Sequence, residues 1–279
     1  MKLTQVTDRI YADTTGENAG NYGIVVLEDQ VVVVDSGMYH TLTSDFREEV
    51  ESEFDLPILK MLLTHYHPDH LFGAQALSPV SLIASAPTRA ICKELVDTEW
   101  RKEKLVAQAE ESKEERPEMW RAVQSLELKL PDIIFEKRIQ IGSASDLTVE
   151  LTGGHTKGSS IVIIEPDHVI FAGDLVFNGT FPYAGDPTCN PDDWIAALQG
   201  ITNAEVEKII PGHGDICGTE EIDRHIKFFR SLRGEVLRAI DEGISPEKFI
   251  DEGRTPSYYD EGSEGRKQSA VERLFEFYQ

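Results

Sequence analysis

Two apolar runs near the N-terminus, Gly23-Ile24-Val25-Val26-Leu27 and Val31-Val32-Val33-Val34, flank the polar triplet Glu28-Asp29-Gln30. Runs that are apolar at every position predict strands covered on both faces, here joined as a hairpin. Asp35-Ser36-Gly37 ends the second run. Between Thr43 and Phe54 the apolar positions Phe46, Val50 and Phe54 recur every fourth residue, which predicts a helix. Strands follow at 58–63 and 81–84. From 87 to about 130 Glu, Lys and Arg dominate, with Leu95, Trp100, Leu105, Met119, Trp120 and Val123 interspersed. This stretch predicts two or three helices, with Pro117 starting or breaking one, in an insertion placed to lean over a pocket as a lid. Strands resume at 133–135, 147–151, 161–164 and 169–172, followed by a helix at 192–198 and a strand at 208–210. Helices then dominate: 219–242, a short one after Pro246, and 265–278. No linker rich in Gly, Pro or Ser interrupts the chain. Residues 1–279 therefore read as one domain, with a helical insertion at 87–130 and C-terminal helices at 219–279 packing on the core.

Composition narrows the partners. No apolar run approaches the ~20 residues of a membrane helix. The segment from Met1 to Asp8 lacks the apolar stretch of a secretory signal, so a cytoplasmic location is expected. A net charge of −23 repels phosphate backbones and anionic membranes, and no basic patch offsets it. Nucleic acid and membranes are thus excluded as expected partners, leaving a small-molecule substrate. Monomer and homodimer are equally open. Cys92, Cys189 and Cys217 are odd in number, widely spaced and without C-x-x-C spacing, which argues against a disulfide framework. They read as buried structural thiols, although Cys217 lies close to His213.

Candidate chemistry is concentrated in the histidines. The run Thr64-His65-Tyr66-His67-Pro68-Asp69-His70 places four donor side chains within six residues, more than folding needs. It sits between the strand at 58–63 and Leu71–Leu77, which reads as the start of a helix. Loops carried on rigid elements are where catalytic groups are displayed. Three more donors, His155, Asp174 and His213, fall at the ends of predicted strands, each beside glycine, which lets the backbone turn tightly. His40, His168 and His225 lack such company and are assigned no role.

In order, H-x-H-x-D-H, Gly-His-Thr, Gly-Asp and Gly-His-Gly, with the Asp35-Ser36-Gly37 strand end, resemble the metallo-β-lactamase superfamily over residues of roughly 20–215. The resemblance implies an α/β fold: a four-layer αββα sandwich of two mixed sheets, with metals at one edge. It implies that His65, His67 and His155 bind one metal, that Asp69, His70 and His213 bind another, and that Asp174 bridges them. Imidazole and carboxylate suit two zinc ions and leave open positions for water, with iron or manganese as alternatives. Such a pair shares a hydroxide and lowers its pKa from about 15.7 towards about 7.

The implied enzyme is a dinuclear zinc hydrolase attacking the carbonyl of a small ester, thioester, lactone or amide, with Asp69 and Asp174 as catalytic carboxylates. Weak promiscuous β-lactam hydrolysis is chemically accessible to it. The alternative is a mononuclear iron-dependent oxidoreductase of a thiol or persulfide. Dedicated β-lactamases of the superfamily lack the bridging carboxylate present here as Asp174. Phe177 stands where quorum-quenching lactonases carry tyrosine. Asn178-Gly179-Thr180-Phe181-Pro182-Tyr183 replaces the glycine-, cysteine- and arginine-rich segment of glyoxalase II and the persulfide dioxygenases. The chain is therefore similar to the general hydrolase branch. Asp35 is expected to orient ligands by hydrogen bonds, and Asn178 or Tyr183 to assist the substrate, the oxyanion or the leaving group.

Overall fold

The computed structural model describes residues 3–142, 147–259 and 262–279. Positions 260 and 261, within the C-terminal helical stretch, lie outside them. Strands β1 (Thr4–Gln5), β2 (Ile10–Asp13), β3 (Tyr22–Val26) and β4 (Val31–Val34) pair antiparallel in sequence order. Helix α1 (His40–Phe54) then crosses over to β5 (Ile58–Leu62). The short helix α2 (Pro68–Leu71) and a 3-10 turn (Phe72–Leu77) lead to β6 (Ser81–Ser85). Helices α3 (Ala86–Val96), α4 (Lys102–Glu111) and α5 (Pro117–Gln124) precede β7 (Ile133–Phe135), which completes a seven-stranded sheet whose β4 to β7 are parallel.

A second sheet of five strands has the order β12-β11-β10-β9-β8. Its members are β8 (Arg138–Ile141), β9 (Leu147–Leu151), β10 (Ser160–Ile164), β11 (Val169–Phe177) and β12 (Lys208–His213). Helix α6 (Pro191–Thr202) makes the crossover that lets β12 run parallel to β11. Helices α7 (Thr219–Asp241), α8 (Pro246–Asp251) and α9 (Glu264–Tyr278) follow.

The all-apolar strands are explained by three apolar layers. Val31 and Val33 pack with Ile24, Met61 and Leu82 against Phe46 and Val50 of α1. Their neighbours Val32 and Val34 point the other way, with Val25, Leu62 and Ile83, and meet Val149, Val162, Val169, Phe171 and Ile210 of the second sheet. Ile161, Ile170, Ala172 and Ile209 face Trp194 and Leu198 of α6 and Phe229 and Leu232 of α7. Period two in each strand thus feeds two cores at once. The expected αββα order is what forms.

Some elements differ from the expectation. Strands β1, β2 and β8 are additional to the expectation; β1 and β8 are edge strands with exposed polar positions, and β2 is buried but only four residues long, so none carries an apolar run to announce it. Strand β11 continues past Ala172 to Phe177, and β12 past Ile210 to His213. Their pairing slips between Phe171, Gly173 and Phe177, so Asp174 sits at an irregularity inside a strand rather than after one. Such irregularities re-aim side chains. The segment 87–130 forms three helices, and Pro117 starts α5. Trp100 packs edge-on against Phe72, with ring centroids 5.2 Å apart, and ties these helices to the first sheet's outer layer. Among the described residues no helix is long and apolar enough to cross a membrane.

Candidate metal centre

His65, Tyr66 and His67 lie in the loop after β5, and their side chains part company. The rings of His65 and His67 lie 4.7 Å apart, while Tyr66 is buried in the layer that holds Trp100. Pro68 then opens α2, which brings Asp69 and His70 round to the same opening. The second sheet supplies His155 from the loop after β9, Asp174 from β11 and His213 from the end of β12. Two donor sets result, one of His65, His67, His155 and Asp174 and one of Asp69, His70 and His213, with donor atoms within 4.8 Å of one another in each.

Asp174 stands between the sets. Its Oδ1 is 3.1 Å from His70 Nε2, and its Oδ2 is 3.4 Å from His213 Nε2, 3.5 Å from His155 Nε2 and 3.7 Å from His65 Nε2. Asp69 Oδ2 lies 3.2 Å from His213 Nε2. Gly212 makes this approach sterically open, because a Cβ there would come within 1.9 Å of Asp174 Oδ1. Gly20 does the same for His70, whose Nε2 would lie 2.9 Å from an added Cβ.

Hydrogen bonds outside the sets determine which ring nitrogens face inward. Asp35 accepts from Thr64 N (2.8 Å), from Thr64 Oγ1 (2.7 Å) and from His70 Nδ1 (2.9 Å). With its proton given to Asp35, Thr64 Oγ1 accepts from His65 Nδ1 at 3.1 Å. The carbonyl of Tyr183, which can only accept, takes His155 Nδ1–H at 3.0 Å. Asp186 takes His67 Nε2–H at 2.9 Å. In neutral rings the inward nitrogens are then lone pairs, and those of His67 and His155 face each other at 3.0 Å. Two lone pairs that close need a cation between them. His65 Nε2, His70 Nε2 and Asp174 Oδ1 are likewise buried without a hydrogen-bond partner. This donor chemistry fits divalent metal.

The electrostatics separate the two sets. Burial holds the His65 imidazole well below its usual pKa and pushes His155 down to about 4, so both stay neutral. Burial opposes charge on His70 as well, but Asp174, Asp69 and Asp35 outweigh it and raise His70 well above the usual value. For His213, Asp174 and Asp69 likewise overcome burial and lift it to about 9. Burial works against the Asp69 anion too, yet His70 and His213 hold that carboxyl at about 2. In the metal-free protein the raised His213 contributes stability that is complete below 6.5 and lost as pH rises through about 9. A metal must displace that proton, so apparent zinc affinity should rise with pH across the same window. Titration calorimetry in buffers of different protonation enthalpy should show proton release on binding; an affinity flat across the window would contradict it.

Of the residues singled out in the sequence, the seven donors come together. Asp35 lies beneath them, in the left-handed region with φ 58°. Tyr183 reaches the site through its carbonyl and through its ring, 5.9 Å from that of His67. Asn178 donates from its amide to the carbonyl of Asp215 at 2.9 Å, which braces the turn after His213. Cys217 pairs its backbone with Ile209, and burial pushes its thiol up to about 12, so no thiolate joins the donors.

Two further residues belong to the site. Asp186, 2% exposed, holds His67 and Tyr66 and is itself held by Thr188 N (2.7 Å) and Oγ1 (2.6 Å). The Asp-Pro-Thr turn signal was visible in the sequence, but not its target. Asp186→Ala should weaken zinc binding about 10- to 100-fold with the fold retained, because His67 loses the partner that sets its tautomer; equilibrium dialysis would show it, and unchanged affinity would count against the role. Asn21 brackets His213 from the opposite sheet, donating from its backbone to Gly212 O (2.8 Å) and from its amide to Pro211 O (2.9 Å) and Gly214 O (2.8 Å). No local pattern pointed to it.

Comparison with known proteins places this arrangement. The family model of the metallo-beta-lactamase superfamily matches residues 15–213. A linear primary-alkylsulfatase of Pseudomonas sp. (strain ATCC 19151) is 20% identical over 256 residues, covering 82% of this chain and 48% of the relative. The acyl-coenzyme A thioesterase MBLAC2 of Gallus gallus is 26% identical over 189 residues, covering 63% of this chain and 64% of the relative. The chain thus spans about half of the first relative's length and under two thirds of the second's. The crystal structure of the DIM-1 metallo-beta-lactamase superposes with a TM-score of 0.63 at 17% identity, covering 82% of this chain and 96% of that one, a likeness of fold. With the family match spanning the layers and all seven donors, this chain belongs to the metallo-beta-lactamase superfamily.

Proposed function

We propose that this chain is a dinuclear zinc hydrolase of small acyl compounds, thioesters first, with esters, lactones and amides in the same class. The observation that carries the reading is Asp174, whose two oxygens face donors of both sets. When bound, the metal pair supplies Lewis acidity to a carbonyl oxygen and makes water a nucleophile near neutral pH. The chain's own groups do the rest. His65, His67 and His155 arrive with their lone pairs already directed inward, so little reorganisation is needed there, while His70 must first give up its inward proton. Asp69, whose side chain is 25% exposed, is the carboxylate of its set nearest the opening and can take the proton released by attacking water. The Tyr183 hydroxyl makes no hydrogen bond among the described residues and can donate to an oxyanion or leaving group. The thioesterase relative supports the substrate class, and Asp174 supports a hydrolase other than a dedicated β-lactamase.

The net charge of −23 favours a small molecule over nucleic acid or membrane as partner. Three free cysteines fit a reducing, cytoplasmic setting. Metal analysis, together with turnover of acyl-CoA thioesters, esters, lactones, alkyl sulfates and a β-lactam, tests the proposal. Two zinc ions with thioester turnover are expected. One iron with oxygen uptake on a thiol would overturn the reaction class; turnover of alkyl sulfates alone would overturn the acyl substrate.

A further inference from the structure

Helix α7 buries Ile222, Ile226, Phe229 and Leu232 on one stripe, yet the same stripe holds Glu221 at 3% exposure and His225 at 0%. Buried polar groups on an apolar stripe need partners, and these are specific. The backbone N–H of Phe177 donates to His225 Nε2 at 3.1 Å. An amide nitrogen can only donate, so the His225 proton must be on Nδ1. That nitrogen lies 2.6 Å from the Tyr258 hydroxyl and 3.1 Å from the Glu221 carbonyl. Tyr258 passes its own proton to Glu221 Oε1 at 2.7 Å. Glu221 is further held by Tyr259 (3.0 Å) and Arg224 (3.2 Å). From the end of β11 the donors therefore run in order through His225 and Tyr258 to the Glu221 carboxylate.

Phe177 matters because its ring stacks on His213, with centroids 5.1 Å apart and planes 8° from parallel. The other four site histidines each have the outward ring nitrogen hydrogen-bonded, to Thr64, Asp186, Asp35 or Tyr183. Among the described residues no hydrogen bond reaches His213 Nδ1; the face of its ring is held by Phe177 instead, whose ring also lies edge-on 6.0 Å from that of His155. We propose that His225 is a positioning residue: through Phe177 it sets the orientation of His213, and so the geometry of the Asp69, His70 and His213 donor set. This rests on reading that set as a metal position. His225 thus couples helices outside the donor motif to one half of the site.

The test compares wild type with His225→Leu, which removes the acceptor at similar bulk, and His225→Gln, which restores one near Nε2. Zinc affinity is measured by equilibrium dialysis, and the His213 Cε1–H resonance is followed by NMR in metal-free protein, where ring stacking displaces it. The Leu variant should lose about 10-fold affinity for the zinc that is also lost in His213→Ala, keep the other, and shift the His213 resonance. The Gln variant should recover both. Phe177→Leu should reproduce the effect without touching α7, whether or not the His225→Leu variant folds. Unchanged affinity and resonance in Phe177→Leu, or equal weakening of both zinc ions in His225→Leu, would overturn the proposal. If wild type binds a single zinc while the resonance still moves and is rescued, the dinuclear reading fails and the positioning role stands.

Discussion

Replacing Asp174 by asparagine is expected to lower thioester hydrolysis by on the order of 10³-fold and to reduce bound zinc from two ions to one. The substitution is nearly isosteric, which matters in a site where Gly212 already packs against Oδ1 and leaves no room for a longer side chain. What changes is charge and hydrogen-bond polarity. Asp174 Oδ1 lies closest to His70, while its Oδ2 lies near His213, His155 and His65. An amide puts a donor where one of those oxygens stands and removes the anion that lies between the two sets. Asp69 then remains as the carboxylate of the second set alone. Zinc counting alongside kcat/KM would measure it. An asparagine variant that keeps two zinc ions and near-normal turnover would remove the basis for the dinuclear assignment.

Asp35→Ala is expected to destabilise the metal-free protein by about 2–5 kcal/mol and to weaken zinc binding about 10- to 100-fold. The stability loss has two sources. Asp35 accepts three hydrogen bonds while only 3% exposed, so removing it strands the Thr64 amide and the His70 ring N–H in the interior. It also occupies φ 58°, a conformation that aspartate tolerates better than alanine. The loss of zinc affinity follows because the His70 tautomer is no longer imposed. Asp35→Asn should fall between, since it keeps the left-handed preference and one acceptor. Urea unfolding of the metal-free proteins would measure the first effect and dialysis the second. An alanine variant within about 0.5 kcal/mol of wild type would mean that the neighbours satisfy themselves without it.

How much of this was legible depended on distance along the chain. The four donors of the 65–70 run share a loop, and their density alone marks them. His155, Asp174 and His213 were marked by glycine and by strand ends, since close approach to a shared centre needs both. The layers were legible because Val31 to Val34 and their partners are apolar at every position, a pattern that only a strand between two cores requires. Edge strands β1 and β8 were not, because two polar residues in β1 and a four-residue alternation in β8 are too short to mark a strand.

The groups that orient the donors behaved differently. Asp186 meets His67 across 119 residues, Asn21 meets Pro211 across 190, and His225 meets Phe177 across 48. His225 in particular carries no local pattern in the sequence, which leaves it one more isolated histidine there. The sequence alone determined the donor types, their order and the double-faced strands, because ligand chemistry and burial are properties of residue type and local period. Only the tertiary structure decided which nitrogen of each ring faces inward, that Asp174 lies between both sets, and which distant side chains hold them there. Hydrogen-bond direction depends on partners that the packed sheets and helices bring together.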